Sequence, residues 1–180
     1  SSSASDVYKR QGSSTATVYL ADGTTETYAA CTNPSGSDYA TVPEGPYHAK
    51  VGMHKGAYTA LRMEDTDGSG RIELGYENPA YTDGRTYAAG INIHKPGENN
   101  LTGLTVKKRP ISAGCLLIDI NSWNRFIGHF EAEDQKNNTV SVTVSRSLSE
   151  PVNVNRLPAF NFILNGTRES FFSRIKNRKL

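Results

Sequence analysis

The chain of 180 residues is long enough for one domain with its own core, and with 36% hydrophobic and 21% charged residues it is too apolar for a disordered segment. A net charge of +2 at pH 7 gives little support to nucleic-acid binding, and the basic run Lys107-Lys108-Arg109 stops at Pro110. No stretch approaches the length of a membrane-spanning apolar helix, and an opening "SSSASD" without methionine suits a processed chain.

Residues 1–14 are Ser-rich and read as a flexible N-terminal segment. "TATVYLAD" alternates as a strand does, turns at Asp22-Gly23 and predicts a hairpin with "TTETYAACT". After the loop "NPSGSD" and the breakers Pro43, Gly45 and Pro46, "YHAKVGMH" alternates again. "YTALRME" and "RIELGY" read as two strands of a hairpin joined by the turn "DTDGSG". The oxygens of Asp65, Asp67 and Ser69 also match the first half of a calcium loop, but the twelfth position is Tyr76 and the flanks are strand-like, so a turn is the better account. "YAAGINIHK" reads as one more β segment.

A long loop then leads to "PISAGCLLIDINSW". Trp123, Phe126, Ile127 and Phe130 recur at helical spacing, which predicts a helix with one apolar face, capped by Asp119 or Asn121. "TVSVTVSRS" is the clearest strand, "AFNFILNG" is a further one, and "RESFFSRIKNRK" reads as a short basic helix. The chain is expected to be mostly β with one or two short helices. It is expected to form a single domain over residues 15–180, with 146–180 as an extension packed on it.

Chemistry concentrates around Cys115. A cysteine beside aliphatics is ordinarily a small buried hydrophobe. Gly114 beside it allows close backbone approach and exposes N–H groups for an oxyanion. A thiol also needs a base, and His94, at the end of "GINIH" and before the loop that returns to Cys115, is placed to supply one. His129 lies in the predicted helix and reads as a helix-face residue. Cys31 could pair with Cys115 in a disulfide, though a free thiol is the simpler reading. Zinc has no ligand-spacing motif in its favour.

His94 followed, after a loop, by Ser112-Ala113-Gly114-Cys115 resembles the signature of the L,D-transpeptidase catalytic domain, the YkuD-like family. "TVPEGPYHA" upstream is similar to that family's Thr-Pro-x-Gly-x-aromatic segment, with Val42 inserted and Pro43, Gly45 and Tyr47 in matching positions. The resemblance covers about residues 15–145. It departs at Leu117, where the family has an arginine two residues beyond the cysteine.

The resemblance implies a β-sandwich-like catalytic fold and a transferase or hydrolase acting on peptidoglycan stem peptides outside the cytoplasm, periplasmic or secreted, with no cofactor. Cys115 would be the nucleophile and His94 its base, with Gly114 at the oxyanion and Ser112 supporting the histidine or the turn. Tyr47, Lys95 and Arg109 would meet the substrate; either Lys95, Lys107, Lys108 or Arg109 supplies the charge of the missing arginine, or the substrate differs. Nine tyrosines on a β-rich domain leave a second reading open, a non-catalytic module for glycans or peptides in which Cys115 is structural.

Overall fold

The computed structural model describes residues 14–98, 101, 104–146 and 160–165. Ten strands and one helix are described: β1 Ser14–Tyr19, β2 Thr25–Cys31, β3 Gly45–His54, β4 Tyr58–Asp65, β5 Arg71–Glu73, β6 Tyr87–Ala89, β7 Asn92–His94, β8 Leu116–Ile118, α1 Trp123–Glu131, β9 Val140–Arg146 and β10 Phe160–Asn165. The mostly β expectation is met. Eight strands form one curled, barrel-like sheet in the order β1-β10-β9-β3-β4-β7-β8-β2, and β2 pairs in turn with β1. The sheet is thin on one side, where β8 holds β7 and β2 by two residue pairs each. The basic helix expected near the C-terminus lies outside the described residues, as do residues 1–13.

Alternation sets which face each strand buries. In β9, Val140, Val142 and Val144 are buried while Ser141 and Thr143 between them are partly exposed. The same inner face collects Ala16, Tyr28, Ala49, Leu61, Met63, Ile93, Leu116 and Ile118 into one core. Helix α1 presents Trp123, Phe126, Ile127 and Phe130 to that core, as its spacing predicts. Phe126 stands edge-on to Tyr28 with ring centroids 5.4 Å apart.

Three local readings are corrected. Neither Asp119 nor Asn121 is the helix cap: the position belongs to Ser122, which makes no side-chain cap bond. Asp119 instead closes the preceding turn by accepting the Asn121 N–H at 3.1 Å. β4 and β5 do not form a hairpin, because β4 pairs with β3 and β7 while β5 pairs with β6 in a separate two-stranded ribbon. The segment read as one strand around "GINIH" is two, β6 and β7, divided at Gly90, whose φ of 72° suits glycine and ends the first ladder.

Candidate active site

β-Sheet register places the chemistry on one face of the sheet. Val51 and Leu61 pair across β3 and β4, and Leu61 pairs with Ile93 on β7; these residues point inward. Their neighbours take the opposite face: Gly52, His54, Tyr58, Ala60 and Arg62, then Asn92 and His94, of which His54, Ala60, Asn92 and His94 are buried. β7 and β8 run parallel, with His94 opposite Leu117, which puts Cys115 two residues back on the same face beside Asn92. The Asn92 N–H reaches the Cys115 sulfur at 3.5 Å.

Cys115 is partly exposed and follows a tightly built turn. The Ser112 hydroxyl donates to the Cys115 carbonyl at 2.6 Å and accepts the Gly114 N–H at 3.2 Å. Ser112 therefore supports the turn rather than the histidine. The Gly114 N–H is occupied by that hydroxyl instead of being presented to an oxyanion, which corrects the expectation from sequence. Gly114 itself is required by geometry. Its φ is 115°, and a β-carbon there would lie 3.0 Å from the Ala40 carbonyl oxygen.

His94 is buried in a stack of rings. Its Nδ1 lies 2.7 Å from the Lys95 carbonyl and 3.2 Å from the Tyr58 hydroxyl. A carbonyl only accepts, so Nδ1 carries the hydrogen and Nε2 keeps a lone pair for a proton. His54 lies parallel to His94, with ring centroids 4.0 Å apart, and the His54 Nδ1 meets the Asn92 side-chain amide at 3.0 Å. Tyr58 sits beside both imidazoles, and the Lys95 ammonium lies 4.9 Å over the Tyr58 ring. Tyr58 and Asn92 were not singled out by sequence reasoning, because only strand pairing brings them to His94.

Burial dominates the electrostatics. It pushes the His94 pKa down to about 4, with the His54 charge adding to the effect and the Lys95 carbonyl opposing it. Burial likewise pushes the Cys115 thiol up, against the Asn92 N–H. At neutral pH the resting pair is therefore a thiol and a neutral imidazole, not an ion pair. His94 costs stability on acidification. The unfolded imidazole takes its proton near pH 6.5 and the folded one only near pH 4, so stability is complete above 6.5 and about 3 kcal/mol is lost as pH falls from 6.5 to 4.

A neutral pair predicts how the thiol reacts. The rate of Cys115 alkylation by iodoacetamide should climb about tenfold per pH unit from pH 6 to 8, as the thiolate fraction does. A fast plateau below pH 7 would instead reveal a preformed thiolate. Cys31 should stay unlabelled, since it is buried and its thiol is pushed up to about 11 by burial.

The remaining expected residues lie apart. Tyr47 is in the core, its hydroxyl donating to the Pro43 carbonyl at 2.7 Å, and it belongs to the inner face. Arg109 sits on an exposed loop whose backbone is tied to Thr105. Lys95 does join the site, through its carbonyl and its ammonium. Leu117 is fully buried with Cys31 and Ile111 in a small second cluster, so an arginine there would have to bury its charge. Both cysteines are free thiols.

Asp65, Asp67 and Ser69 are engaged in their own turn: Asp65 accepts the Glu73 N–H at 2.8 Å and Asp67 the Ser69 N–H at 2.9 Å. Among the described residues no group of three His, Cys, Asp or Glu side chains could hold a metal ion. His129 is bound on α1 and β2 by Glu26 and Tyr28, away from the thiol.

No family model, curated protein or solved structure matches this chain.

Proposed function

We propose that the chain is a cysteine-dependent acyl transferase of peptidoglycan stem peptides, an L,D-transpeptidase, an L,D-carboxypeptidase or both, working outside the cytoplasm. The observation that carries this reading is the His94 imidazole. A backbone carbonyl fixes its tautomer, and it sits on the strand paired with the one that Cys115 precedes. The Ser-x-Gly-Cys turn supports it, being closed by its own serine hydroxyl.

The chemistry follows from neutral partners. Cys115 sulfur attacks the carbonyl on the L-centre side of the bond to the terminal D-residue, and its proton passes to His94 Nε2. The tetrahedral oxyanion would be met by the Cys115 N–H, given that Gly114 is held by Ser112. Collapse breaks the carbon–nitrogen bond, the leaving amine takes the proton from His94, and a thioester remains. An acceptor amine or water attacks the thioester, gives its proton to His94, and releases the product and the thiol.

The test is intact-mass analysis of the protein with a disaccharide tetrapeptide. The expected result is an adduct on Cys115 equal to the donor less its terminal residue, absent from Cys115→Ala. Absence of both an adduct and any Cys115-dependent product would overturn acyl transfer and leave the binding module as the better account.

A further inference from the structure

A cavity of about 270 Å³ lies beside Arg62, on the face of the sheet that also carries the thiol and two strands further across it. Gly90 joins the two: its carbonyl lies 3.9 Å from the Cys115 sulfur, and Gly90 also lines the cavity. Lys50, Arg62 and Glu64 supply the cavity's charge. Glu64 is fully committed. One of its oxygens binds the Lys50 ammonium at 3.1 Å and the other accepts the Gly70 N–H at 2.9 Å. Arg62 forms no ion pair among the described residues, so its guanidinium is the cavity's unspent charge.

Arg62 is also seated. Its stem lies across Gly52, where an added β-carbon would come within 2.6 Å of Arg62 Cδ and 3.1 Å of Cγ. Gly52 has no side chain, and that gap is the bed in which the arginine lies. Since the guanidinium presents a planar fork of donors, the matching ligand is a carboxylate.

We propose that Arg62, bedded on Gly52, is the receptor for a carboxylate carried by the acyl donor, and this rests on the acyl-transfer reading of Cys115. Register bounds how far that carboxylate lies from the reacting carbonyl. Arg62 is opposite Asn92, and Asn92 lies beside Cys115, so two strand spacings, about 10 Å, separate Arg62 from the nucleophile at the backbone. The carboxylate of the leaving residue lies one residue from the scissile carbonyl and is too near. A carboxylate on the donor chain ahead of the scissile carbonyl fits, and an extended peptide crossing β7 beside Gly90 would deliver it. Arg62 thereby supplies the cation that Leu117 cannot.

The test is the rate of Cys115 acylation, followed by intact mass over a range of donor concentrations. Two tetrapeptides are compared, identical except for a free carboxylate or a carboxamide on the second residue. The parent protein should show a KM about tenfold lower for the carboxylate donor, the usual size of one charge-assisted pairing. Arg62→Gln should raise that KM to the carboxamide value and leave kcat and the carboxamide donor unchanged. Gly52→Ala, which displaces the arginine stem without touching its charge, should do the same. Equal KM values for the two donors in the parent, or a preference that survives both substitutions, would overturn the role of Arg62 while leaving acyl transfer intact. Acylation by neither donor would overturn acyl transfer itself, and this assignment with it.

Discussion

His94→Gln should lower the rate of Cys115 acylation by roughly 10²–10⁴-fold, the range a positioned general base contributes. Glutamine keeps an N–H that can reach the Lys95 carbonyl, so the loss would report proton uptake rather than collapse of the pocket. The effect should be large because the Cys115 thiol is pushed up by burial, so little thiolate forms without a base beside it. The substitution should also reduce the acid sensitivity of the fold. The drop in melting temperature between pH 6.5 and 4 should shrink once the imidazole that resists protonation is gone. Single-turnover acylation and thermal unfolding at the two pH values check both halves. A loss smaller than tenfold would transfer the role of base to another residue, with His54 the nearest imidazole.

Gly114→Ala should be the most damaging one-carbon change on the thiol side. The backbone there has φ of 115°, a conformation that side chains rarely adopt, and the added carbon meets the Ala40 carbonyl oxygen at 3.0 Å. That neighbour is backbone, so it cannot rotate away as a flexible side chain would. Strain and collision together should cost about 2–4 kcal/mol. They should also move the Cys115 carbonyl off the Ser112 hydroxyl and slow acylation by about a hundredfold or more. Chemical denaturation and iodoacetamide labelling measure the two effects separately. A variant within 1 kcal/mol of the parent, with normal labelling, would show that the turn has slack the geometry does not suggest.

Where a pattern is local, the sequence already showed the structure. The alternation of "TVSVTVSRS" is β9, and the spacing from Trp123 to Phe130 is the buried face of α1. Cys115, His94 and the Ser112 turn were legible because they fall in one contiguous motif and the strand end that precedes it. The stack around His94 was not. His54 and Tyr58 come from β3 and β4, and no local pattern says which strand those two will pair beside. Alternation did put Lys50, Gly52 and His54 on one face of β3, yet whether that face was core or surface depended on partners distant in the chain. The division at Gly90 was hidden for a similar reason, because "YAAGINIHK" is evenly β-like and only the positive φ of the glycine breaks it. Tyr47 misled because a motif position specifies a residue type, whereas its orientation comes from the strand's own alternation, which turns it into the core.

The side of the sheet that carries the chemistry is also where backbone pairing is sparsest. β7 and β8 are joined over two residue pairs, and β8 and β2 over two more, whereas β3 and β4 are paired along the whole of β4. A seam this short resists sliding only weakly through its own hydrogen bonds. The alignment of base and nucleophile is therefore held by contacts outside the ladder: the parallel imidazoles, the tyrosine beside them, and the Asn92 N–H that meets the sulfur. In mechanical terms the rings act as a clamp across a loose joint. Changes in ring size at His54 or Tyr58 thus bear on chemical precision although neither residue exchanges a bond with the substrate.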